Sequence, residues 1–277
     1  MTPISVVIIT RNEAAHIADC IASARLVASE VLVVDSGSDD GTPAIARGLG
    51  ATVLELPWKG YGAARNAGAE AARHDWILSL DADERLTPEA ATAIRETTFE
   101  DAGIVYRLPR HNHFGERRIH FGSFGFDGVG RLYHRGTVCW NDFPVHERLE
   151  GHKAVQRIAA PILHFGIGDV EQFEKKKAHY ALLGARRYFN EGRSFAGPRQ
   201  WLAPLFDAAR SYLFLLGFLD GRTGLFLAGV IYRSTRLKYS RLAQLRALAA
   251  SAGKPTVFPQ ATRKPIVQFF FRNDMMK

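Results

Sequence analysis

The sequence predicts an α/β fold, an open sheet flanked by helices, continued by a mainly helical C-terminal region. Three observations carry this. Apolar β-branched runs alternate with helix-periodic stretches through the first hundred residues. Polar residues, chiefly aspartates, stand where those runs end. The charge then changes sign along the chain: residues 1–170 hold 17 Lys and Arg against 22 Asp and Glu, and from Glu171 onward 19 stand against 6.

Residues 4–9 form a continuous apolar run, interrupted only by Ser5, as in a central parallel strand buried on both faces. A helix is expected from Glu13, where Ile17, Ile21 and Ala24 recur at helical spacing. Residues 31–34 give a second strand, ending at Asp35 and the turn-rich SGSDDGT. A helix from Pro43, a strand over 51–56 and an Ala-rich helix over 61–72 follow. Residues 76–80 make a fourth strand that closes on Asp81. Repeated βα units imply right-handed crossovers and parallel strands, and ligands in such sheets lie beyond the carboxyl ends of the strands. Thr10, Asp35 and Asp81 all fall there. Past Pro88 the pattern turns irregular. RLPRHNHFGERR and FGSFGFDGVGR read as loops closing over a substrate, and a long helix is expected to begin near Asp169.

The 277 residues, 47% apolar, suffice for a large core. Cys20 and Cys139 form no C-x-x-C pattern, so a disulfide framework is not expected and a reducing cytoplasm is. The opening MTPISVVIIT lacks a basic n-region, which argues against a signal peptide.

The sharpest chemical feature is Asp81-Ala82-Asp83 directly after WILSL. Two carboxylates entering a ligand crevice together repel unless a cation neutralises them, and oxygen ligands suit Mg²⁺ or Mn²⁺ bridging to a diphosphate. An isolated D-x-D is more often a solvated turn that caps a helix. Its place after the fourth strand of a βα series favours the metal reading. Thr10-Arg11-Asn12-Glu13 follows the first strand, where Thr10 or Asn12 also suits a helix N-cap. Asp35 suits a base or ribose contact, or an ordinary Asx turn. In GYGAARNAG the small residues allow close helix packing and Arg65 has the reach for a phosphate. P-loop and dinucleotide-oxidoreductase motifs are absent.

SVVIITRNE, VLVVDSGSDDGT, GYGAARNAGAEAA and DWILSLDADE, in this order and spacing, together resemble the family 2 glycosyltransferases of the GT-A fold. That resemblance implies a Rossmann-like mixed sheet and an inverting, metal-dependent transferase. It places Thr10, Asn12, Glu13, Asp35, Arg65 and Asp81 at the nucleotide, with Thr10 and Asp35 on uracil. Asp81 and Asp83 then hold the metal. A softer likeness, through RLYHR, FPVHERLEG, ILHFG and GFLDGRTGLFLA, is to the β-glucosyltransferases of the lipopolysaccharide inner core. It implies UDP-glucose as donor and a core or other lipid-linked saccharide as acceptor. The same fold also serves ADP- or GDP-sugar transferases. Nucleotidyltransferases share it too, but they carry a Gly-rich basic loop where this chain has TRNE.

Inversion needs a base on the acceptor hydroxyl. Family placement points to Glu147 of Val145-His146-Glu147, with Asp142 and Asp127 as alternatives. His146 would position that base or touch the acceptor, or serve structurally. His164, ending a strand-like run, is either a third metal ligand or a core histidine.

The expected division is a catalytic domain over 1–168, with a nucleotide half to residue 100 and an acceptor half from 101, and a basic helical region over 169–277. Residues 211–219 and 224–231 are apolar runs, each too short to span a bilayer, and a continuous span would bury Asp220 and Arg222 in hydrocarbon. A helical hairpin packing on the protein or lying in the interface is expected. Arg233, Arg236, Lys238 and Arg241 beside it suit anionic lipid at the cytoplasmic face of a bacterial inner membrane. Phe269 to Phe271 offer another anchor or a docking strand. Nucleic acid is not an expected partner, because long aliphatic runs replace stacking aromatics on a polar groove.

Overall fold

A computed structural model of the chain describes residues 2–125, 127–141, 147–168, 170–193 and 199–251. Phe269 to Phe271, Asp142 and His146 lie outside these.

The first part of the chain runs β1 (Ile4–Thr10), α1 (Ile17–Ala24), β2 (Glu30–Asp35), α2 (Thr42–Gly48), β3 (Thr52–Glu55), α3 (Tyr61–Ala71) and β4 (Trp76–Asp81). A short β5 (Glu84–Leu86) leads to α4 (Pro88–Glu96). Strands β3, β2, β1 and β4 lie side by side and parallel. All seven residues of β1 are buried, which is why that run carries apolar residues on both faces. Thr87 caps α4, its hydroxyl accepting from the Ala90 amide at 3.0 Å with Pro88 at the first helical position.

The chain then builds β6 (Ile104–Phe114), β7 (Arg117–Arg118), the single turn α5 (Gly122–Gly125) and β8 (Asp127–His134). The small strands β9 (Cys139–Trp140), β10 (Leu149–Glu150) and β11 (Ala154–Arg157) lead to β12 (Ile162–Ile167). The sheet order is β3-β2-β1-β4-β8-β6-β12-β5, with β8 antiparallel to both β4 and β6. It is therefore a mixed sheet flanked by helices, as predicted. Two expectations are corrected. RLPRHNHF is not a loop but most of β6, an 11-residue strand between β8 and β12, and the DGVGR that ends FGSFGFDGVGR begins β8. Pro109 and the run Arg110 to His113 hid β6, because a strand that is buried only at intervals shows no clean alternation.

Helix α6 (Val170–Asn190) follows β12 almost directly. Helix α7 (Arg199–Ala209), a π-helical turn (Arg210–Phe214) and a 3₁₀ turn (Gly217–Asp220) lead into α8 (Arg222–Ser251). Both α6 and α7 pack on α8. A small apolar cluster of Ile119, Ile167, Phe173, Leu227 and Val230 fastens these helices to the end of the sheet. The expected hairpin is present, although its first arm is α7 plus the π turn rather than one helix over 211–219. Asp220 sits at its bend, buried, accepting from the backbone amides of His120 and Phe121. None of the described helices is long and apolar enough to cross a membrane.

Candidate active site

Parallel pairing brings the first three polar strand ends together. Thr10 is the register partner of Asp35, and Ile9 is the partner of Asp81. Thr10 Oγ1 is buried without a hydrogen-bond partner, an arrangement that invites a ligand atom. Asp35 Oδ1 accepts from the amides of Gly37 and Ser38, and the Ser38 hydroxyl donates to Oδ2. The Asx-turn reading of Asp35 is thus realised. Asn12 adopts a left-handed backbone (φ 56°). Its amide donates to Ser38 Oγ and its side-chain oxygen accepts from the Asp39 amide, so it knits the first two crevice loops together.

Asp81 is enclosed by arginines. Arg65 donates to its Oδ1 at 2.5 Å and Arg131 to its Oδ2 at 2.7 Å. Burial would raise the Asp81 pKa, but Arg131 and then Arg65 outweigh it and hold the carboxyl far below its usual range. Arg65 is itself only 1% exposed. It donates to Ser79 Oγ at 2.7 Å and stacks over Trp140 at 4.7 Å. The expected reach of Arg65 to a phosphate is replaced by a buried strut under Asp81.

Asp83 has different neighbours. Its Oδ2 lies 3.4 Å from His164 Nε2 and 3.6 Å from Lys176 Nζ. His164 Nδ1 pairs with Asn112 Oδ1 at 2.5 Å, and Asn112 donates to the Phe124 carbonyl at 2.6 Å. The imidazole is thereby oriented with Nε2 towards the carboxylate. A Cβ on Gly166 would fall 2.6 Å from His164 Nε2 and 3.0 Å from Asp83 Oδ2, so glycine keeps the space beside this pair open. A carboxylate oxygen and an imidazole nitrogen fit Mn²⁺ or Mg²⁺ that completes its shell with diphosphate and water. Among the described residues no three His, Cys, Asp or Glu side chains converge on one point, so the protein would supply only part of the shell. Arginines already balance Asp81, and Lys176 stands beside Asp83, so charge alone does not require one cation on both aspartates; the case for an ion rests on the Asp83–His164 pair and the space beside it.

Residues 5–157 match the family described as Glycosyl transferase family 2. The chain belongs to glycosyl transferase family 2. It is similar to an uncharacterized glycosyltransferase of Rickettsia felis, 30% identical over 262 residues, covering 89% of this chain and 90% of the relative. The lipopolysaccharide core biosynthesis glycosyltransferase LpsC of Rhizobium meliloti is 28% identical over 263 residues, covering 85% and 94%. Among solved structures, mannosyl-3-phosphoglycerate synthase from Rubrobacter xylanophilus is 19% identical, covers 71% of this chain and 78% of its own, and superposes with a TM-score of 0.46.

In this family 2 glycosyltransferase, Glu147 lies beside the arginine strut, with its Oε1 3.7 Å from Arg65. Asp127, the alternative base, is held by Arg110 in a fork. Burial would raise its pKa, yet Arg110 lowers it on balance, which leaves a poor proton acceptor. Glu13 faces the same crevice. Burial first, and Asp83 next, raise its carboxyl to about 7.

Sequence reasoning missed three charged residues that surround Asp81 and Asp83. Glu84, fully buried, accepts from the Asp81 amide at 3.0 Å and from Arg131 at 2.5 Å. Arg131 on β8 bridges both carboxylates, and Lys176 arrives from α6. Glu84 adjoins the D-x-D, and Arg131 opens the RLYHR stretch that carries part of the softer likeness, but neither that stretch nor the lysine run around Lys176 said which carboxylate its cation would meet.

Proposed function

We propose that this glycosyltransferase moves a hexose with inversion from UDP-glucose to a lipopolysaccharide-core or other lipid-linked saccharide. The observation that supports this best is the convergence at the strand ends. Thr10 offers an unpartnered hydroxyl beside Asp35, and the Asp83–His164 pair frames the open space kept by Gly166. Thr10, Asp35 and the loop knitted by Asn12 form the uridine end. Asp83 and His164 hold the divalent ion, which when bound offsets the charge that develops on the departing diphosphate.

Glu147 takes the acceptor hydroxyl proton as the acceptor oxygen attacks the anomeric carbon from the face opposite the diphosphate. The bond from that carbon to the diphosphate oxygen breaks, and UDP leaves with the electron pair. Residues 1–168 carry the base, the metal ligands and the uridine end in our reading, and 169–277 place them at a membrane surface on the cytoplasmic side. Large apolar side chains stand exposed between 201 and 225, among them Trp201 at 63%, Phe206 at 61% and Phe214 at 74%, which suits insertion at an interface. Two of the expected headgroup cations are engaged within the protein instead: Arg233 pairs with Glu174, and Lys238 lies over Tyr188.

The test is calorimetric titration with UDP, with and without Mn²⁺, against ADP and GDP. Mn²⁺-dependent preference for UDP is expected. Preference for ADP or GDP would replace the donor, and binding of none of the three would end the catalytic reading.

A further inference from the structure

We propose that Lys176 is a diphosphate ligand supplied by the C-terminal region, held on Asp83 until ion and donor arrive. The inference rests on the nucleotide-sugar reading above and names the group that meets the leaving diphosphate.

Helix α6 is fixed against the crevice on both sides of this lysine. Phe173 is buried in the cluster that joins the helices to the sheet. One turn beyond Lys176, the Tyr180 hydroxyl meets that of Tyr61, the first residue of α3, at 2.7 Å. Residues 173, 176 and 180 share one helical face, so Lys176 has no choice but to point between these two anchors, toward Asp83. Its Nζ shares with His164 the same oxygen, Oδ2.

The other cations around the two aspartates are committed. Arg65 serves Ser79 and Asp81, Arg131 serves Asp81 and Glu84, and Arg110 serves Asp127 and Glu84. Lys177 lies over the rings of Phe124 and Phe173, and Lys175 pairs with Glu171 along the helix. Lys176 differs in that its side chain is 43% exposed although its partner carboxylate is only 6% exposed. The amine therefore reaches a buried anion from the open side of the crevice, on a flexible arm with three donors and no fixed geometry. A divalent ion taking Oδ2 would repel an ammonium at that distance. The same ion brings a diphosphate, whose oxygens are the nearest new anions for the displaced amine. Asp83 thus passes from one cation to another without a stage of uncompensated burial.

Titrations of the full chain with Mn²⁺ alone, then with UDP and with uridine at saturating Mn²⁺, test this in wild type, Lys176→Gln and Lys176→Arg. In Lys176→Gln, UDP affinity should fall about 10- to 100-fold, the weight of one charge-assisted contact, with uridine affinity unchanged. Mn²⁺ alone should bind that variant no more weakly than wild type, because its competitor for Oδ2 is gone. Lys176→Arg should restore most of the UDP affinity, which a distorted helix would not. Equal UDP affinity in wild type and Lys176→Gln would overturn the proposal, as would equal losses for UDP and uridine. A wild-type protein that bound neither would overturn the donor reading itself.

Discussion

His164 Nε2 stands 3.4 Å from Asp83 Oδ2, joining the last strand of the sheet to the turn after its fourth. The contact is oriented by Asn112, the register partner of His164 on β6. Asp83→Ala is expected to abolish Mn²⁺-dependent UDP binding and to lower turnover about 10²- to 10³-fold or more. His164→Ala should weaken apparent Mn²⁺ affinity about 10- to 100-fold with the fold retained. Titration followed by circular dichroism checks both, and unaltered Mn²⁺ dependence in either variant would remove that residue from the site.

Arg131 is 3% exposed and bridges Asp81 and Glu84. Arg131→Met leaves the buried Glu84 and the half-buried Asp81 short of their counter-ion, so a loss of about 3–5 kcal/mol of stability is expected. Denaturant unfolding measures it. A loss below about 1 kcal/mol would mean that Arg65 and Arg110 compensate the pair unaided.

Glu147→Gln should lower turnover about 10²- to 10⁴-fold while UDP affinity stays within about twofold. Near-normal turnover would transfer the role of base to Asp142, since Asp127 is neutralised by Arg110.

Burial and the neighbouring Asp83 raise the Glu13 carboxyl from 4.5 to about 7. The folded state then holds a proton that the unfolded state has already released. Its contribution to stability is full below about pH 4.5 and is lost as the pH rises through about 7. Glu13→Gln should flatten that decline, worth about 2–3 kcal/mol between pH 5 and pH 8. Parallel melting curves of the two proteins across this range decide it, and identical slopes would refute the assignment.

Trp201, Phe206 and Phe214 stand well exposed. Replacing all three by Ser should reduce binding to anionic phospholipid vesicles by more than about 10-fold, with UDP affinity unchanged. Wild-type protein that fails to float with such vesicles would refute the membrane reading.

The order of strands and helices through residue 81 was legible because its information is local. Runs such as 4–9 and 76–80 are buried on both faces, so burial alone writes them as strands, and parallel pairing aligns their ends. Residues 104–167 were not. β6 breaks its apolar residues with Pro109 and four consecutive polar residues, Arg110 to His113, so it shows no period of two, and its neighbours β8 and β12 come from later in the chain. The hairpin over 199–251 was half legible. Asp220 and Arg222 gave away its bend, whereas the amides of His120 and Phe121 that hold Asp220 lie on a distant loop.

The sequence by itself determined the βα order, the family motifs and the position of Asp81 and Asp83 at a strand end, since each depends on residues adjacent in the chain. Only the tertiary structure decided how the two aspartates differ. Arg65 and Arg131 fold back onto Asp81, while His164 and Lys176 meet at Asp83. A carboxylate's role follows from which charges stand within a few ångströms, and those neighbours are gathered by packing from two strands and two helices far apart in sequence.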